Sequence, residues 1–171
     1  MNRRENLIRY IDPMERSKKL SERIRELYLD GSWIANTNFR KALSDVTFGH
    51  AVLKFGGLNS VAELTFHVNY YLEGLLNVFN GGELDIKDEY SFSHPLIADT
   101  ASWRRMADTF SVNAERFADA VSGISESLLD EIFVKEDYGT YERNIEAVIE
   151  HGYYHLGQIV LIKKMLNGMN V

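Results

Sequence analysis

Residues 140–166 read TYERNIEAVIEHGYYHLGQIVLIKKML. Ile145, Val148, Ile149, Gly152, Leu156, Ile159, Val160 and Leu166 recur at the three- and four-residue intervals of a single helix face. Glu142, Glu146 and Glu150 fall toward the positive N-terminal end of such a helix, and Lys163 and Lys164 toward its negative C-terminal end. The spacing predicts one long helix over about 140–166. His151 and His155 lie four apart on it, so both rings leave the same face, one turn above the other. That is a two-ligand grip for a divalent metal, or else a pair that satisfies polar groups in a helix interface. Gly152 beside the first ring leaves room for a facing helix or a substrate.

The helical period extends outward. Ser60 and Glu63 fit a capping box, and Leu64, Val68, Tyr71, Leu72, Leu75 and Phe79 follow as a core stripe until Gly81-Gly82. A third helix starts at Asp99 or Thr100, passes Trp103, Met106, Ala107, Phe110, Ala114, Phe117 and Val121, and ends near Gly123. A short helical piece is expected over 125–133. Residues 18–46 form a first helical region that Asp30-Gly31-Ser32 breaks or kinks, preceded by a lead-in over 1–16 that contains Pro13. Gly56-Gly57 reads as a turn. Residues 83–98 are longer than a usual bundle connection, as a crossover or a cover over a site would be. Four helical segments without a strand-like run or a repeat predict an all-α four-helix bundle, with an irregular all-α domain as the alternative.

Composition agrees. The chain has 171 residues, 45% hydrophobic and 26% charged, which predicts one folded domain over 1–171 rather than a disordered chain. Two prolines suit long helices. With no cysteine, disulfides, thiolate metal sites and a cysteine nucleophile are excluded. No apolar run approaches membrane-spanning length and the N-terminus has no hydrophobic signal core, so a cytoplasmic protein off the membrane is expected. The net charge of −6 argues against nucleic-acid binding, since Arg3-Arg4 and Lys18-Lys19 are too small to attract a phosphate backbone.

Of five histidines, His67 sits on the second long helix, at the edge of the Leu64/Val68/Tyr71 stripe. If that helix and the last are parallel neighbours, His67 and His151 match in depth. If they are antiparallel, the match requires the last helix to extend farther at its start. Three converging imidazoles would make a His₃ site with a position left for water. One ion with bonds of about 2.1 Å requires the three nitrogens within about 5 Å of one another. The pair is not part of an H-E-x-x-H motif, because glycine stands at 152. Glu150 points away as a solvated charge or a neighbour of a ligand, and GELDIKDE lacks the glycine and spaced oxygens of a calcium loop. No phosphate-binding glycine motif or nucleophile elbow occurs. His50 and His94 read as structural or surface residues, although the 83–98 loop would let His94 reach the site. Glu83, Asp85, Asp88, Glu89 and Asp99 are the carboxylates that could complete a metal shell from that loop.

The segment His151-Gly-Tyr-Tyr-His155-Leu-Gly-Gln-Ile159 resembles the H-x-x-Y-H-x-G-Q-I segment of the DinB-like (DinB/YfiT) superfamily. Gly31-Ser-Trp33, Ser60-Val-Ala-Glu-Leu-Thr-Phe-His67 and the start of the third helix at Trp103 match as well. The resemblance spans most of 20–166. It implies an up-down-down-up four-helix bundle with helices two and four in register. It also implies a divalent metal (zinc or nickel ahead of iron) held by His67, His151 and His155 with water, and a homodimer. Characterised relatives act with low-molecular-weight thiols as transferases or isomerases, or as metal-dependent hydrolases, so a small thiol or another small molecule is the expected substrate. Tyr154 matches the family tyrosine and, like Gln158, either orients a ligand or packs between helices. Gly152 departs from the common H-D-x-Y-H form, so any service from that carboxylate is lost. A metal-dependent hydrolase or thiol transferase leads. A metal-binding domain without catalysis and an assembly or regulatory bundle are the alternatives.

Overall fold

A computed structural model describes residues 15–168. The lead-in expected over 1–16, with Arg3-Arg4 and Pro13, lies outside the described residues apart from its last two positions. The elements are α1 (Glu15–Tyr28), α2 (Phe39–Leu43), α3 (Phe48–Val52), α4 (Val61–Phe79), α5 (Thr100–Gly123), α6 (Glu126–Leu129) and α7 (Tyr141–Gly168). Two 3₁₀ turns, Asp88–Tyr90 and Glu136–Tyr138, interrupt the connections. Among the described residues there is no sheet, only one isolated bridge between Ile132 and Thr140.

The four long helices α1, α4, α5 and α7 bury a continuous core: α1 packs on α5 and α7, and α4 packs on the same two. Ile24, Leu72, Phe110, Phe117, Ile145 and Ile149 are essentially inaccessible. The expected 18–46 region divides. α1 ends where Leu29 and Asp30 turn back on the Arg25 carbonyl, and α2 restarts behind Asn38, whose side chain accepts from Lys41 N at 2.8 Å. Phe39 then stacks on Tyr28 with ring centres 5.2 Å apart, and both rings meet Phe110 of α5. The Trp103 indole donates to the Val46 carbonyl at 2.8 Å, which ties the segment after α2 to α5.

The capping box forms as expected. Ser60 N donates to Glu63 Oε2 at 2.8 Å, and Glu63 N donates to Ser60 Oγ at 3.2 Å. α5 likewise starts behind Asp99, whose carboxylate accepts from Ser102 N. Between α4 and α5, buried Asn113 donates to Asn69 Oδ1 at 3.0 Å.

The 83–98 connection lies along α4. Ile86 packs so closely on Gly74 that a Cβ there would overlap it. Lys87 N donates to the Tyr70 hydroxyl at 2.9 Å, and the Tyr71 hydroxyl donates to Asp88 Oδ1 at 2.8 Å. Phe92 then stacks on His67 and His94 reaches Phe66. The loop therefore runs back toward the start of α4, and it is both a crossover and a cover.

α7 meets α1 at Gly152. A Cβ there would overlap the Tyr28 hydroxyl and Leu27 Cδ2, and the Tyr28 hydroxyl donates to the Val148 carbonyl at 2.9 Å in the same contact. The space beside His151 that glycine provides is thus taken by a facing helix. Gly152→Ala is expected to cost about 1–3 kcal/mol of stability through overpacking in chemical denaturation. Tyr28→Phe, which removes the obstructing hydroxyl, should return part of that loss in the double variant. Strict additivity of the two changes would contradict this contact.

Candidate metal centre

His67 leaves α4 from its second turn, beside the buried Leu64 and Val68. His151 and His155 leave α7 one turn apart. The two helices meet in opposite senses: Phe79 packs on Tyr141, Leu75 shares a cavity wall with Asn144 and Val148, and Leu64 shares one with Gln158 and Leu161. Of the two arrangements that the sequence left open, the antiparallel one holds. Depth is matched antiparallel, because α7 begins beside the far end of α4, well before His151.

The three Nε2 atoms converge. His67 Nε2 lies 3.2 Å from His151 Nε2, and His155 Nε2 lies 2.9 Å from the same atom. Ligand atoms of all three residues fall within 4.8 Å of one another, the spacing at which one ion can be shared. His67 and His155 are buried and His151 is half-buried. A single neutral Nε2 on His151 can donate to one neighbour or accept from one, but it cannot satisfy both. A cation among the three lone pairs satisfies all of them at once, so this donor set fits a divalent metal.

The surroundings fix the rings. His155 Nδ1 donates to Gln158 Oε1 at 2.7 Å, which leaves its Nε2 lone pair toward the cluster, as the outer hydrogen bond of a metal-binding histidine does. Phe92 lies flat on His67, centroids 4.1 Å apart and planes 10° from parallel. Tyr71 stands edge-on to both His67 and His151. His67 Nδ1 is buried without a full hydrogen bond, and the Ser91 backbone on that side favours its protonation.

Burial keeps the imidazoles neutral. It lowers His151 to about 4, helped by repulsion from His155 and His67. Burial also lowers His67, seconded by His155, and it lowers His155 against the opposing Gln158 hydrogen bond. Neutral imidazole is the form that binds metal.

Other expected participants stand apart. Tyr154 is 64% exposed, with its ring edge-on to His155, so it does not pack between helices of this chain. Gln158 makes its bond within α7 and not between helices. Glu150 pairs with Arg143 at 3.0 Å on the surface. His94 Nδ1 donates to the Pro95 carbonyl, and His50, on α3, is not among the converging ligands. Among the described residues no carboxylate joins the three histidines. Asp99 caps α5, while Asp88 is anchored by Tyr71. The roles of Phe92 and Tyr71 in framing the rings had no distinct signal in the sequence, since aromatic residues at such positions read as core.

The family model described as DinB superfamily matches residues 33–159. No curated protein and no solved structure matches the chain.

The depressed His151 value sets a pH dependence for the metal-free protein. Between the folded value of about 4 and the ordinary 6.5, the unfolded chain binds more protons than the folded one, so stability rises with pH across that window. Urea denaturation without metal is expected to show stability falling as pH drops from about 6.5 toward 4. A profile that is flat or rises on acidification would contradict burial of neutral imidazoles.

Proposed function

The chain belongs to the DinB superfamily, and from that footing we propose that His67, His151 and His155 bind one divalent metal ion in a metal-dependent enzyme. Zinc or nickel is the expected metal, ahead of iron, and the expected chemistry is hydrolysis or transfer to a low-molecular-weight thiol. The observation that carries this reading is the convergence of three neutral imidazoles, joined among the described residues by no carboxylate and no fourth histidine.

A bound divalent ion would supply Lewis acidity and a lowered pKa for a water or thiol at an open position. The chain's own groups do the positioning. Gln158 holds His155 with its Nε2 inward, and Phe92 covers the face of His67 and excludes water from it. Tyr71 donates to Asp88 and so holds one carboxylate beside the cluster, where the Asp88 charge acts on His67. That the cluster holds only imidazoles among the described residues supports a second reading, a metal-binding domain without catalysis.

The same proposal takes the chain as one DinB-like domain with up-down-down-up topology. Support comes from the order of contacts. Ser21 meets Ala118 and Tyr28 meets Phe110, which sets α1 against α5; Tyr28 to Val148 and Arg16 to Glu142 set α1 along α7. An apolar stripe of Tyr154, Leu161 and Met165 left exposed on α7 supports a homodimer. No helix among the described residues is long and apolar enough to cross a membrane. A cytoplasmic setting is proposed from the absence of cysteine, and no nucleic-acid partner from the net charge of −6.

Elemental analysis of untagged protein is expected to find about one divalent metal per chain, lost in His151→Ala and in His155→Ala. Activity against a panel of hydrolysable esters and of thiol-plus-electrophile pairs should disappear with the metal. Full metal content in both variants would overturn the site, whereas full metal content without any activity would favour the non-catalytic reading.

A further inference from the structure

A second face of α4 lines a cavity of about 370 Å³ beneath the 83–98 connection, within the size range of small-molecule sites. Phe66, Asn69 and Glu73, at three- and four-residue spacing, come from α4. Ser102, Arg105, Met106 and Thr109 come from α5, and residues 95–97 form the roof. None of the three clustered histidines lines it. α4 therefore presents His67 to α7 and this cavity to α5.

Two features distinguish the cavity from a packing gap. Asn69 is only 8% exposed, and its Oδ1 accepts from Asn113 Nδ2 at 3.0 Å. Its own Nδ2 has no acceptor among the described residues and is not sealed within the core, so the wall offers a buried amide donor. The second feature is a pair of opposite charges that do not meet. Glu73 on α4 and Arg105 on α5 both line the cavity, and neither forms an ion pair among the described residues. The Arg105 charge reaches the Asp99 carboxylate, but that carboxylate caps α5 through Ser102 N at 2.7 Å. Phe66, Leu96, Ile97 and Met106 make much of the remaining lining apolar.

We propose that this cavity binds a small zwitterion with an apolar body, of the size of a dipeptide. Its carboxylate takes Arg105 and the Asn69 amide, and its ammonium takes Glu73. Its apolar side chain gains by burial on Phe66 and Met106. Charges held on two different helices suit a ligand whose own charges stand at the two ends of a short chain. A molecule with a single charge leaves either Glu73 or Arg105 unanswered beside it. The site is separate from the histidine cluster and stands whether or not that cluster holds a metal.

The test uses L-alanyl-L-leucine beside its N-acetylated form, which lacks the cation, and its C-terminal amide, which lacks the anion. Each is titrated by NMR into zinc-loaded and metal-free protein. The free dipeptide is expected to bind on the order of tenfold tighter than either capped form, in both states of the protein. Its shifts should fall at Ile97, Met106 and the Asn69 amide. Glu73→Gln should erase the advantage over the N-acetylated form, and Arg105→Gln the advantage over the amide. Both side chains are exposed, so these changes leave the core intact, and zinc content should not move. Equal affinities for the three forms, no binding of the free dipeptide, or preferences unchanged in the two variants would overturn the proposal. Shifts confined to His151 and His155, the mark of capture by the histidine cluster, would overturn it as well.

Discussion

The backbone of α7 lies against Leu27 and Tyr28 of α1 at Gly152, and this contact governs the orientation of the centre. At about 100° per residue, a helix with position 152 against α1 carries positions 151 and 155 about 100° and 60° to one side of it. That side faces α4, where His67 waits. A side chain at 152 would push α7 off Tyr28 or turn it, and either movement would separate His151 and His155 from His67. The aspartate common at this place in the resembling pattern therefore has no room here. The α1–α7 contact there is closed by the Tyr28 hydroxyl on the Val148 carbonyl.

A carboxylate beside the cluster comes from a different element, the connection before α5. The 83–98 loop is pinned along α4 by Ile86 on Gly74, Lys87 on Tyr70 and Asp88 on Tyr71. The pinning sets Phe92 flat on His67 and stations Asp88 at the edge of the cluster without entering it. Cover and crossover are thus one device: the chain that must return to the start of α5 shields the metal-binding face on its way.

What the sequence made legible was what depends on local periodicity or local hydrogen bonding. The Ser60/Glu63 box, the α7 stripe and the His151/His155 pair are all of this kind, and each lies where it was expected. The sequence placed α2 within a broken 18–46 region without bounds and did not show α3, because five residues each are too few to display a period; their caps, Asn38 and Thr47, emerge in the structure. The relative direction of α4 and α7 was left open because it depends on Phe79 meeting Tyr141, a contact between residues far apart in the chain. The positions of Phe92 and Asp88 depend on how a loop is laid on a helix, which no spacing rule encodes.

The central claim is that the fold presents three imidazole nitrogens to one ion and leaves the remaining coordination to small molecules. X-ray absorption on zinc-loaded protein measures this directly. The account predicts three imidazole ligands at about 2.1 Å, with the remaining shell of light atoms exchangeable for added thiol and one imidazole missing from the His67→Ala spectrum. A shell with fewer than three imidazoles, or a His67→Ala spectrum identical to the parent, would contradict it.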